Sequence, residues 1–506
     1  MKLHTLALIS VLQLSLIAAE KINPRHLHAK RQLPSNSVAS SPPPTPAPPP
    51  PATSSSAAPP PPPGTPAPPP AATTTSPAAV PPSPSSVVSV DPSPGVTTPL
   101  NTVPPLATFT GVPPLADISL GMATRPVPPV TAVFTPGATP PISGAPVLPT
   151  ALALGTWPPQ DRVPPTDSAE VQRWMKELDG FNVPALSPTI NGSCLLDPAN
   201  AANAASRGWW TCGGYTRDTD ITACPDKYTW GVSFDDGPSP YSAWFQYVID
   251  YLAEKDLSAT FFVVGSRVIE RPNLLIEEYM AGHEISVHTW SHSPLTSLTT
   301  EQIVAELGWT RKAIKTVLGV TPTTMRPPYG DIDDRVRAIS LAMGMVPIMW
   351  TNSPSGGKFD TNDWRVAGGL VNGTDSFNTF QSILGNATLL DTGFIVLQHD
   401  LFEISVDLAV GYTLNAALNH QPKFTLKAIG ECQKFPAGNL YLETNKNETF
   451  PFRNSTSGGV DVSGDGTIDT KSGDGGSTTA SAGFINSIPF LTSVTAIALA
   501  AMGISL

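Results

Sequence analysis

Residues 228–238 read Tyr228-Thr229-Trp230-Gly231-Val232-Ser233-Phe234-Asp235-Asp236-Gly237-Pro238. Tyr228–Phe234 is a largely apolar run of the length expected for a buried strand. Two adjacent carboxylates close it, and Gly-Pro then punctuates the chain. Side chains that turn out of a strand into a loop can share one pocket, so an acidic pair there is suited to chemistry. Asp-Asp-Gly-Pro is also ordinary turn composition. The stretch alone leaves both readings open, and residues further along decide between them.

Downstream, short apolar runs alternate with amphipathic stretches. After Tyr228–Phe234, strands are expected at Ala259–Val264, Glu284–His288, Thr324–Arg326, Met345–Trp350, Phe394–Gln398 and Phe424–Leu426. Helices are expected at Trp244–Leu252, Asn273–Met280, Thr300–Leu318, Asp333–Met343, Ser376–Leu384 and Val406–Asn419. Thr299 or Thr300 stands as the cap of the longest. Strands alternating with helices imply parallel pairing. About seven such units predict an α/β fold closed, or nearly closed, into a barrel whose chemistry gathers at the strands' C-terminal ends. Asp235-Asp236, His288 and His292, Arg326, Asp363 and His399 all fall at or just beyond strand ends, which places them on one rim.

The chain has 506 residues and 59 prolines. Pro, Ala, Ser and Thr dominate positions 41–150, which offer few large apolar side chains to offset the entropy of ordering. Residues 20–155 are therefore expected to be a disordered Pro/Ser/Thr-rich stalk or pro-region, suited to O-glycosylation. Met1-Lys2, the apolar run Leu6–Ile17 and Ala18-Ala19 read as a secretory signal peptide over residues 1–19, with a dibasic Lys30-Arg31 beyond it. Small residues around Ser472–Ser477, a polar spacer and the apolar Ile488–Leu506 have the layout of a glycolipid-anchor signal. The expected organisation is an extension over 156–226, a catalytic domain over 227–430, a linker over 431–475 and a removable tail over 476–506. The protein is thus expected to be secreted to the cell surface and held to the plasma membrane and cell wall by a GPI anchor.

A net charge of -11 gives no basic footprint for nucleic acid. Cys194, Cys212, Cys224 and Cys432 are an even set in an exported chain, so two disulfides are expected. Of three possible pairings, Cys212–Cys224 with Cys194–Cys432 would close a local loop and tie the domain's ends. A zinc cluster of the four thiolates is disfavoured, because no two lie at knuckle spacing. Glycosylation sequons at Asn191, Asn372, Asn386, Asn447 and Asn454 fit the same route.

His288-Thr289-Trp290-Ser291-His292 sets two imidazoles four residues apart. Both can reach one metal, and a carboxylate from the Asp pair would complete a two-His, one-Asp site with open positions for water and substrate. Redox iron uses the same ligand types, so the ligands alone leave the metal open. Hydrolysis also needs a base for the water and an acid for the leaving group. The second carboxylate of the pair can be the base, and His399, titrating near neutrality, the acid.

Five segments in order, Ser233–Pro238, His288–His292, Arg326-Pro327-Pro328-Tyr329-Gly330, Asp360-Thr361-Asn362-Asp363-Trp364 and Leu397-Gln398-His399, resemble the motifs of the NodB-type polysaccharide deacetylases, carbohydrate esterase family 4. The resemblance runs from about Tyr228 to Leu426 and departs mildly at Ser233, where Thr is more usual. It implies a distorted (β/α) barrel. It also implies Asp235 as general base, Asp236, His288 and His292 as metal ligands, and His399 as general acid. Arg326 would orient Asp235, and Asp363 would tune His399. The Tyr329 backbone amide would hold the oxyanion, while Trp364 and Leu397 shape the acetyl pocket. The implied cofactor is a divalent metal, with Zn2+ ahead of Co2+. Taken with the anchor layout, the expected reaction is removal of N-acetyl groups from chitin in a fungal wall. Peptidoglycan, acetylxylan, or binding of a wall polysaccharide without turnover are the alternatives.

Overall fold

The strand β1, Thr229–Asp235, is buried at all seven residues, as an apolar run in a parallel sheet covered on both faces should be. Around it the computed structural model describes residues 111–125, 134–152, 155–242, 248–353 and 356–446. Six more strands follow: β2 (Thr260–Val263), β3 (Glu284–Val287), β4 (Thr324–Met325), β5 (Val346–Pro347), β6 (Phe394–Ile395) and β7 (Thr425–Ala428). Their order is β5-β4-β3-β2-β1-β6, with β7 also on β1. Every pairing is parallel.

The distortion is visible at β1. One edge bonds β6, while the other bonds β7 along Thr229–Val232 and β2 along Ser233–Asp235. Beyond β5 the Thr351 amide donates to Ile395 O at 3.0 Å, and Phe359 links Thr351 to Leu397. These bonds join the outer edges and make the sheet a distorted (β/α) barrel, as expected.

The expected helices are found, Trp244–Leu252 only from Val248 to Glu254 because its first residues lie outside the described residues. Thr300–Leu318 opens with a capping box between Thr299 and Gln302. The expected Ser376–Leu384 helix is longer, Gly373–Thr388, because Asn372 and Asp375 form a second capping box upstream. The expected Val406–Asn419 helix is broken into Glu403–Leu408, a π turn at Ala409–Thr413, and Leu414–Leu418. Within that turn the Tyr412 hydroxyl donates to Pro113 O at 2.7 Å. Strands β4, β5 and β6 have two residues each. Arg326, Trp350 and Gln398 therefore lie beyond the regular strands.

Two domain boundaries need correction. Residues 111–125 and 134–152, assigned by composition to the stalk, lie on the domain: Ile118 and Leu148 are core residues, and Leu115, Met122, Phe134 and Ile142 pack against that core. These scattered large apolar side chains anchor the segment despite its prolines. Arg125 adds an ion pair to Glu403 at 2.5 Å and another to Asp407. Likewise, residues 431–446 are no linker. Tyr441 is fully buried and accepts the Ile285 amide at 3.0 Å, and Glu443 accepts from Thr321.

The disulfides are Cys194–Cys212 and Cys224–Cys432, not the expected pairing. Sequence proximity suggested joining Cys212 to Cys224, but the sheet sets the partner. Residues Ile429–Cys432 turn back from β7 toward β1, where the Cys224 sulfur lies beside Gly231. A Cβ at position 231 would stand 2.9 Å from that sulfur, so glycine makes the room.

The extension 156–226 is folded onto the barrel. Glu177 receives both terminal nitrogens of Arg311 at 2.8 and 2.9 Å, and two further buried ion pairs, Arg207–Asp333 and Arg337–Asp220, also join the extension to the barrel. The signal peptide, the dibasic site, the sequons Asn447 and Asn454 and the C-terminal tail lie outside the described residues. Among those described, no helix is long and apolar enough to cross a membrane.

Candidate active site

β1 delivers Asp235 to the rim, and the Arg326 Nη1 donates to Asp235 Oδ1 at 2.6 Å and to Ser233 Oγ at 2.9 Å. The guanidinium also donates through Nε to Ile348 O at 3.3 Å and lies 4.0 Å from the Phe262 ring centre. Both residues are buried. Burial works against the Arg326 charge and lowers its affinity for the proton, while the Asp235 carboxylate opposes that shift. Serine at position 233 still supplies the hydroxyl acceptor, so its departure from the usual threonine leaves this contact intact.

Asp236 follows in the left-handed region, at φ 82. Its Oδ1 lies 3.4 Å from His288 Nε2 and 2.9 Å from His292 Nε2. One ligand atom from each of the three residues falls within 4.8 Å of the others. His288 Nδ1 lies 2.8 Å from Arg326 O, an acceptor only, so Nδ1 carries the proton and Nε2 presents a lone pair. His292 Nδ1 is 3.2 Å from the Tyr329 hydroxyl, which fixes the second ring. Asp236 Oδ1 is buried with no hydrogen-bond partner. Burial would raise this carboxyl, but the two histidines against it, His292 first, hold it well below the usual carboxylate range. Two oriented imidazole nitrogens and an ionised, unsatisfied carboxylate fit a divalent cation.

His399 continues the line of β6 and forms a bridge with Asp235, which puts candidate acid and base on adjacent backbone. Asp363 Oδ1 lies 2.8 Å from His399 Nδ1, and its Oδ2 accepts the His399 amide at 2.7 Å. Burial pulls this imidazole's pKa down, yet the charge and hydrogen bond of Asp363, helped by Asp236 and Asp235, carry it up to about 10. The ring is therefore held protonated, as a proton donor must be.

Tyr329 is exposed and adopts φ 59. Trp364 is exposed at the first turn of the helix Asp363–Ala367, its Nε1 3.4 Å from Asp360 Oδ2. Leu397 is buried and bridges Asp360. Of the described sequons, Asn191 and Asn372 are exposed and Asn386 is half-buried.

Two supporting residues escaped the reading of the motifs. Glu306, on the inner face of Thr300–Leu318, accepts the amides of Trp290 and Ser291 at 2.8 and 2.9 Å and so holds the loop between the histidines. Burial carries its pKa up to about 7. Arg267 donates to Asp236 O at 2.6 Å. Its place just past β2 was the available signal, because the other site residues also stand past strand ends. Glu306 had a different signal, an acid among the apolar positions of an amphipathic helix.

The chain matches the polysaccharide deacetylase family over residues 222–348. It is 52% identical over 343 residues to chitin deacetylase 1 of Cryptococcus neoformans var. grubii serotype A, across 67% of this chain and 72% of that one. Chitin deacetylase 2 of the same organism is 34% identical over 298 residues, across 56% of this chain and 62% of that one. The solved chitin deacetylase from the fungal pathogen Colletotrichum lindemuthianum aligns at 22% identity with a TM-score of 0.38, across 46% of this chain and 97% of that one.

Proposed function

This chain belongs to the polysaccharide deacetylase family and is a deacetylase, and from that premise we propose that it removes N-acetyl groups from chitin, giving glucosamine units and acetate. The observation that carries the reading is the placement of Asp235 and His399 on bridged backbone, beside the Asp236, His288 and His292 cluster. The likeness to proteins named chitin deacetylases supports the choice of polymer.

Asp236, His288 and His292 would hold the divalent cation, zinc ahead of cobalt. Bound there, it would supply Lewis-acid polarisation of the acetyl carbonyl and acidify a water. The chain's own groups do the rest. Asp235, oriented by Arg326, takes the proton of the attacking water. The Tyr329 backbone N–H stabilises the oxyanion. Asp363 holds His399 Nδ1, so the other ring nitrogen delivers its proton to the departing amine. Trp364 and Leu397 wall the acetyl group. No covalent intermediate is needed, since the activated water itself attacks the acetyl carbon.

The runs Leu6–Ile17 and Ile488–Leu506 support export and a glycolipid anchor at the cell surface, with the wall polymer as partner. Release of the native protein from membranes by a phosphatidylinositol-specific phospholipase tests that placement. For the reaction, acetate release is measured from chitin oligomers, acetylxylan and peptidoglycan, with metal content read on the same sample. Acetate from chitin oligomers with one bound metal per chain is expected. Acetate from acetylxylan or peptidoglycan alone would overturn the substrate.

A further inference from the structure

We propose that Asp331 positions the Tyr329 backbone amide for catalysis, and that the extension segment 189–212 acts in the reaction through it. The inference rests on reading that amide as the oxyanion donor. Tyr329 has φ 59 and ψ 7, and Gly330 follows at φ 67, so two consecutive residues are left-handed. For tyrosine this conformation is strained and persists only where surroundings impose it. The direction of the amide depends on that backbone, and an oxyanion donor is useful only when held in place beforehand.

Asp331 is what imposes it. The side chain is fully buried and accepts four hydrogen bonds from two other segments. Its Oδ1 takes the Trp209 Nε1–H at 2.8 Å and the Thr211 hydroxyl at 2.9 Å. Its Oδ2 takes the Thr296 amide at 2.9 Å and the Thr296 hydroxyl at 2.7 Å. Thr296 lies four residues beyond His292, so one carboxylate ties the oxyanion loop to the extension and to the loop that follows a metal ligand. The Thr211 hydroxyl is also 3.2 Å from Gly330 O, and the Trp210 amide donates to Ile332 O at 3.0 Å. At Gly330 a Cβ would come within 2.3 Å of the Trp210 ring, so the extension presses directly on the turn.

The extension end of this clasp is itself fastened. Cys212 follows Thr211 and is bonded to Cys194. Thr189 meets Thr296 through hydroxyls 2.6 Å apart and a backbone bond of 2.9 Å. A carboxylate with no catalytic partner of its own thus collects donors from the extension and from the loop beyond His292, both of which border the Tyr329 turn.

The test compares full-length Asp331→Asn, Thr211→Val and Thr211→Ser with wild type, on N-acetylglucosamine tetramer and on acetylxylan. Asparagine keeps acceptors on only one side. Valine removes one hydroxyl and is the milder change, and serine restores it. The expected result is kcat lower by about 10- to 100-fold for Asp331→Asn. Thr211→Val falls less, and Thr211→Ser returns to near the wild-type rate. KM, metal per chain and thermal midpoint of Thr211→Val stay near wild type. Wild-type kcat in folded, metal-loaded Asp331→Asn and Thr211→Val overturns the proposal. So does a loss of rate that only follows lost metal or lost fold. The ratios are read on whichever polymer the wild type turns over, so a wrong substrate appears as a changed preference. A wild type that releases acetate from neither sinks the underlying reading.

Discussion

Asp363 grips His399 twice, with Oδ1 2.8 Å from the ring Nδ1 and Oδ2 accepting the backbone amide at 2.7 Å. The double contact fixes both where the ring points and which protonation state it prefers. With its pKa raised from the ordinary 6.5 to about 10, His399 contributes stability that is complete below pH 6.5 and lost as pH rises through about 10. The metal-free protein should therefore lose thermal stability across that window. Asp363→Asn should flatten the loss and move the alkaline limb of kcat to lower pH. An unmoved limb would remove His399 from the role of acid.

The buried Asp235–Arg326 pair separates chemistry from stability. Asp235→Asn should lower acetate release by about 10²- to 10⁴-fold, the usual worth of a general base, with metal content unchanged. Arg326→Ala leaves a buried carboxylate without its cation, a loss of about 3–5 kcal/mol in similar cases. Denaturant unfolding of the two variants checks the contrast.

Removing the cation by chelation should abolish turnover, and adding back zinc or cobalt should restore it. Asp236→Ala should fail to recover under the same treatment and should bind less metal by elemental analysis. Full activity in a chelated sample free of metal would refute the assigned ligands.

Cys224 and Cys432 are 208 residues apart, and their bond closes a loop around the whole barrel. Replacing both by alanine should cost about 2–5 kcal/mol, the range for native disulfides. KM should not change, since neither sulfur borders the site. Calorimetry with steady-state kinetics reads both.

What could be read from the residues was what repeats or what stands next to a repeat. β1, the Thr300–Leu318 helix and the rim of Asp, His and Arg residues all announce themselves by local period and by position after a strand. Long-range pairing does not. Cys224 meets Cys432 only because β7 returns beside β1, and no spacing along the chain records that. Ile118 and Leu148 were hidden for another reason: a few large side chains in a Pro-rich background barely alter composition, yet each buries a full apolar surface. Glu306 and Asp331 act through the backbone they hold, so motif logic, which looks for reacting groups, passes over them.

The Arg125 clamp bears on what can be cut from this protein. Burial already carries Asp407 up to about 6, even with that guanidinium opposing the shift. A fragment begun at residue 156, where composition alone would trim it, loses Arg125. Two acids of the helix that starts just past His399 would then be left beside each other. Without that cation their mutual repulsion would oppose the folded helix at neutral pH. A catalytic fragment of this chain should therefore keep Arg125 and the packed segment around Ile118.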